Sequence, residues 1–246
     1  MTRLLQLLLL QSLLLVLGFL SLGWNLIAVL LYPLLPRRVG LTLGRAANAQ
    51  AYRAYWWFAS HTGMLRMDAR VLEGLRDEGG LIIVANHPSL LDALLLVAQL
   101  PRSACIMKAS LLRNPFLGAG ARLARYIRND SAHGMIRLAV DDLRAGGQLV
   151  VFPEGTRTTQ APLNPFRAGV TLIAKMAHAP VQVVFIDTDS PYLGKGWPLW
   201  RLPPIPIKFS VRLGERFAPH PDPHVLLRQL EQSFAAGVKP YRPFTP

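Results

Sequence analysis

Cysteine occurs once in the 246 residues, at Cys105. A single thiol excludes an intramolecular disulfide and any multi-cysteine metal site, so an ordinary core must hold the fold. Charge is sparse as well, 17% of residues against 51% hydrophobic, a balance that leans toward membrane association. Acid is scarcer than base: 14 Asp and Glu stand against 27 Lys and Arg, for a net charge of +13. Such an excess attracts something anionic, either nucleic acid or a lipid surface with its phosphates. Aromatic boxes that read RNA or single strands are missing, and so is zinc-finger spacing, which leaves the lipid surface as the expected partner and nucleic acid as none. No G-x-S-x-G elbow frames Ser89 or any other serine. No phosphate-binding G-x-x-x-x-G-K-[ST] loop occurs, and "GAGARL" lacks the third glycine of a dinucleotide fingerprint. His220 and His224 in "HPDPH" are spaced by two prolines without an acid partner at zincin spacing, so no metal is expected. His61, His133 and His178 read as capping, packing or surface residues.

What is present begins with an apolar run. From Leu4 to Leu35 there is no charged residue, longer than the ~20 residues a spanning helix needs. Arg3 would suit a signal peptide, but the run is too long and no small-x-small cleavage site precedes Pro33. Gly18, Gly23 and Asn25 interrupt its middle, so a single span and a bent helix pair dipping into one leaflet both fit. Trp24 and Tyr32 suit an interfacial belt, with Arg37 and Arg38 among anionic head groups. The composition changes near residue 38. The expected division is a membrane anchor over 1–38 and an α/β domain over 39–246.

Beyond the anchor, residues 44–65 read as a helix with an aromatic stripe of Tyr52, Tyr55, Trp56 and Phe58. Short apolar runs then alternate with helical patterns. "MDARVLE", "LIIVAN", "SACIMK", "YIR", "QLVVF", "VQVVFI" and "IPIKFSVRLG" read as strands, and "PSLLDALLLVAQL", "SAHGMIRLAVDDLRAG", "PFRAGVTLIAKMAHA" and roughly 222–237 as helices. This alternation predicts a single α/β domain with a mostly parallel central sheet flanked by helices. A Pro- and Trp-rich insert over 188–204 has no assigned place.

Two polar constellations follow apolar strands. In "LIIVANHPSLLDALLL", Asn86 and His87 sit just past a strand, and Asp92 lies five residues beyond His87, in the second turn of the expected helix. Ligands of open α/β sheets gather at that edge. A carboxylate bonded to one imidazole nitrogen fixes the tautomer and raises the basicity of the other, which suits a general base. The plain alternative is a loop satisfied by water. In "VVFPEGTRT", Glu154, Gly155, Thr156 and Arg157 follow the next such strand; Arg offers a donor fork for phosphate, and the alternative is a surface turn with a solvated ion pair. Between them, Lys108, Arg113, Arg122, Arg125 and Arg128 would form either a cationic rim or a solvated helix face.

These residues resemble the glycerolipid acyltransferases. "NHPSLLD" matches the family's NHx4D block and "FPEGTR" its FPEGTR block. Lys108, "PFLG" at 115–118, "FRAG" at 166–169 and Pro180–Val181 are similar too, over about Leu81–Ile186. The resemblance implies that His87 takes the proton of an acceptor hydroxyl while Asp92 orients the imidazole. The freed oxygen attacks the thioester of acyl-CoA or acyl carrier protein, giving a lipid ester and a thiol without metal, cofactor or covalent intermediate. Asn86, Lys108, Glu154, Gly155, Thr156 and Arg157 would shape the substrate site, and Arg128 would meet an acceptor phosphate. The expected acceptor is 1-acyl-sn-glycerol-3-phosphate. The expected location is a membrane, with the catalytic domain on the cytoplasmic face of the inner or plasma membrane. Three departures leave the acceptor open among lyso-ornithine lipid, polyene lipid and glycerol-3-phosphate. They are "YIRND" where "FIDR" is usual, the missing second proline of the fourth block, and the insert. A lipid thioester hydrolase would use the same base.

Overall fold

The computed structural model describes residues 2–160 and 162–240, so the outer ends of both expected segments, Met1 and 241–246, lie outside it. Two long helices come first, α1 (Arg3–Leu34) and α2 (Arg37–His61). The strands are β1 (Leu65–Asp68), β2 (Leu81–Ala85), β3 (Ser103–Met107), β4 (Ile127–Arg128), β5 (Gln148–Val151), β6 (Val181–Thr188) and β7 (Ile207–Phe217). Between and after them lie α3 (Leu91–Gln99), α4 (Gly118–Leu123), α5 (Ala132–Arg144), α6 (Gly169–Ala177) and α7 (Pro223–Gly237).

The strands make one seven-stranded sheet in the order β1-β7-β6-β2-β5-β3-β4. From β6 to β4 every pairing is parallel; β7 runs antiparallel to β6, and β1 runs parallel to β7. The central strands β2 and β5 are buried along their whole length. That is why they read as continuous apolar runs and not as alternating ones. Ile83 and Ala85 of β2 face a core shared with α1, α2 and α3, whereas Ile82 and Val84 face one shared with α5, α6 and α7. The carboxyl ends of β2, β5 and β6 come out side by side.

Several boundaries differ from the expectation. α1 runs unbroken through Gly18, Gly23 and Asn25. Asn25 is tolerated in the apolar run because its amide is fully used. It donates to Ser21 O (2.8 Å) and Phe116 O (2.6 Å), and its Oδ1 accepts from the N–H groups of Ala119 and Gly120 at the start of α4. Trp24 is half-buried and its Nε1 donates to Asn48 Oδ1 at 2.7 Å. Tyr32 is exposed and lies beneath the Arg125 guanidinium, 4.9 Å from its ring centre. α2 begins at Arg37 and not at 44, directly after Pro36, so only two residues separate the long helices. The strand expected over "MDARVLE" stops at Asp68 and gives way to a 3-10 turn over Arg70–Leu75. α3 starts at Leu91, three residues later than Pro88, which puts Asp92 in its first turn instead of its second.

Candidate active site

The loop from β2 to α3 places His87 beside Asp92. Imidazole Nδ1 lies 3.0 Å from Asp92 Oδ2, and the same oxygen accepts the Ser89 backbone N–H at 2.7 Å. Asp92 is fully buried, and its Oδ1 has no hydrogen-bond partner among the described residues. Burial pushes its carboxyl above the usual range, against the opposing pull of the His87 bond, the Ser89 N–H and the nearby charge of Arg157. A carboxylate acceptor facing Nδ1 selects the tautomer that carries its N–H there. That leaves Nε2 as the basic nitrogen. The ring is fixed on its other side by Phe152, stacked at 4.0 Å between centroids and 17° between planes.

Asn86 anchors the base of this loop. Its Nδ2 donates to Ile186 O and its Oδ1 accepts the Ile186 N–H, both at 2.8 Å, which ties the end of β2 to β6. Its amide therefore holds the frame of the loop.

The loop after β5 grips the histidine loop from below. Glu154 is buried, and its Oε1 accepts from His87 N (3.0 Å) and Thr158 Oγ1 (2.8 Å), while Oε2 accepts from Asn164 N (2.9 Å). Thr158 N in turn donates to His87 O at 2.8 Å. Burial pushes the Glu154 carboxyl up, opposed by these donors. Glu154 therefore orders the two loops from inside. Gly155 takes φ +68°, and the Arg167 side chain lies so close that a β-carbon there would sit 2.5 Å from Nε. Only glycine meets both demands. Thr156 is half-buried beside it.

Arg157 points across the site. Its Nη1 donates to Leu193 O (2.8 Å) and Gly194 O (3.1 Å) in the loop between β6 and β7. The insert without an assigned place thus closes the third side. Ser89 Oγ donates to Tyr192 O (3.0 Å) and Leu90 N to Leu193 O (3.0 Å). Leu193 holds φ +55°, a conformation that costs a non-glycine residue ~1–2 kcal/mol, and the two donors on its carbonyl offset it. Lys108 is exposed where β3 ends. Arg128 lies at the end of the edge strand β4, largely exposed and paired with Asp130 at 2.9 Å. Among the described residues no group of histidine, cysteine and carboxylate side chains suits a metal.

Phe152, Ser89, Asn164 and Tyr192–Gly194 escaped the sequence reading. Phe152 carried a signal, as the aromatic closing an apolar strand before a polar turn. Tyr192, Leu193 and Gly194 act through backbone carbonyls, which leave no mark on residue type, while Ser89 and Asn164 combine backbone N–H and side-chain bonds.

Residues 66–187, about half of the chain, match the family model described as Acyltransferase, and this segment is a domain of that family. It is 31% identical over 143 residues to a putative 1-acyl-sn-glycerol-3-phosphate acyltransferase of Caenorhabditis elegans, covering 54% of this chain and 49% of that one. It is 25% identical over 180 residues to the 1-acyl-sn-glycerol-3-phosphate acyltransferase of Pseudomonas aeruginosa (71% and 68%), and 32% identical over 152 residues to that organism's lyso-ornithine lipid O-acyltransferase (56% and 58%). The chain thus spans about half the length of the worm relative. The fold is that of the crystal structure of the 1-acyl-sn-glycerophosphate acyltransferase PlsC from Thermotoga maritima, with a TM-score of 0.70 at 20% identity over 96% of this chain and 97% of that one.

Proposed function

We propose that the protein moves a fatty acyl group from a thioester, acyl-CoA or acyl carrier protein, to the hydroxyl of a lysophospholipid, 1-acyl-sn-glycerol-3-phosphate being the preferred acceptor. The single observation that carries the reading is the His87–Asp92 pair, 3.0 Å apart at the carboxyl edge of the sheet. Nε2 takes the acceptor's proton as its oxygen attacks the thioester carbonyl. The tetrahedral intermediate then collapses, the carbon–sulfur bond breaks, and the proton returns to the thiolate. Asp92 keeps Nδ1 protonated and stabilises the imidazolium that forms between these steps. Arg167 beside Gly155, with Lys108 and Arg128 on the rim, supplies cations for an acceptor phosphate. In this reading α1, an apolar helix with most of its residues uncovered, lies in the membrane carrying the acceptor. The catalytic domain rests on the cytoplasmic face.

A panel of acceptors tests the choice. Purified protein should acylate lysophosphatidate faster than a lyso-ornithine lipid or a zwitterionic lyso-lipid of equal chain length. Loss of an exposed charge-assisted contact in Arg128→Ala or Arg167→Ala should narrow that preference about ten-fold. Equal rates on all acceptors, with equal losses in the variants, would remove the phosphate from the assignment. The second reading, a lyso-ornithine acceptor, is favoured by the 32% identity to the Pseudomonas enzyme of that name, and the same panel decides it.

A further inference from the structure

The loop between β6 and β7 does more than close the site. Its far end carries Leu199 and Trp200, exposed by 50% and 79%. An indole that open to water has no folding reason to be there, because the apolar area it leaves uncovered would favour burial by ~2 kcal/mol. Two further observations place this tip. Gln11 of α1 donates through Nε2 to Leu199 O, so the tip rests against the N-terminal half of the apolar helix. Next to it, Leu4, Leu8, Leu15 and Phe19 of α1 are exposed by 55–72%. Lys195 and Arg201 flank the tip as exposed cations, and no acidic residue occurs between Pro191 and Pro206. Between tip and site, Leu202 and Ile205 pack into the core under α1, while Tyr192, Leu193 and Gly194 hold Ser89, Leu90 and Arg157.

We infer that Leu199 and Trp200 are a second lipid-contacting element, inserted at the interface of an anionic bilayer beside α1, which seats the histidine loop at the membrane surface. The inference rests on the lipid-surface reading above. Indole suits this position because its ring is apolar and its N–H finds partners among the head groups. The flanking cations add attraction to anionic lipid. The loop is then a strut: one end meets lipid and the other fixes the β2–α3 turn.

The test uses the full chain with an environment-sensitive fluorophore at Trp200→Cys or, on the opposite face of the sheet, at Lys175→Cys; Cys105 is buried and stays unlabelled. The vesicles are phosphatidylglycerol and phosphatidylcholine with brominated acyl chains. A blue shift and quenching at 200, with neither at 175, are expected. Vesicle-bound protein whose label at 200 remains water-like would overturn the inference and leave the acyl-transfer reading standing. Failure of the chain to bind vesicles would overturn the inference and the lipid-surface reading, while acyl transfer to detergent-dispersed acceptor would still report on the chemistry. In Leu199→Ser/Trp200→Ser, transfer to vesicle-embedded acceptor should fall while transfer in detergent is kept, and Trp200→Phe should restore it. Equal loss in both settings would make the tip merely structural.

Discussion

Two donors meet at Asp92 Oδ2, the His87 ring and the Ser89 amide, and both lie within five residues of it in the chain. Such a local arrangement is what a spacing can reveal, and the HPSLLD stretch revealed it. The Phe152 stack and the Glu154 clamp join residues 65 and 67 positions apart in sequence, so only the sheet brings them to His87. His87→Ala should lower turnover by at least ~10²–10⁴ with an unchanged melting temperature, as loss of a general base does. A variant keeping a third of the activity would contradict that role. Asp92→Asn should lower kcat more than it raises KM, because the imidazole loses the acceptor that fixes its tautomer. Glu154→Ala belongs to another class. It strands the buried N–H groups of His87 and Asn164, each at ~1–3 kcal/mol, so it should lower the denaturation midpoint as well as the activity. A variant as stable as the unmutated chain would show that the clamp is idle.

Elements were legible where hydrophobic period dominates and obscure where polar side chains serve tertiary bonds. Gly18, Gly23 and Asn25 suggested a broken α1, yet Asn25 is the residue that caps α4. Asn25→Ala should cost about 1–3 kcal/mol by stranding those N–H groups, measured by chemical denaturation in detergent. The insert was opaque because its role runs through carbonyls. The junction of β6, β7 and α7 offers a test by pH. Burial pushes the Asp187 carboxyl up, but the two-pronged bond from Arg212 and the Lys239 ammonium outweigh it and hold it below the ordinary range. A depressed folded value means the stabilisation is full above the unfolded value of ~3.9 and is lost as pH falls through the folded one. Asp187→Asn should therefore cost about 1.5–3 kcal/mol at neutral pH and close to nothing once both forms are uncharged in acid. A cost that does not change with pH would mean the pair contributes through shape alone.

At the scale of the molecule, the alternation of apolar runs with helical patterns made the mostly parallel sheet legible. It could not show β7 running against β6, nor that α1 packs into the core of the domain. Leu10 and Leu13 of α1 are buried with Tyr55 and Trp56 of α2 over the sheet. Removing residues 1–38 should therefore both release the chain from membranes and lower its stability, with residual salt-sensitive binding to anionic vesicles from the basic excess. A truncated chain that stays membrane-bound in high salt would place the anchor elsewhere. The most direct test of the whole account follows one labelled acyl thioester with and without 1-acyl-sn-glycerol-3-phosphate, in the unmutated chain and in His87→Ala. The account predicts that the label passes to the acceptor as phosphatidate only in the unmutated chain, with thiol released in equal amount and almost none released when acceptor is withheld. Thiol release at the same rate without acceptor would make the protein a hydrolase, and label transfer undiminished in His87→Ala would remove the base on which the mechanism stands.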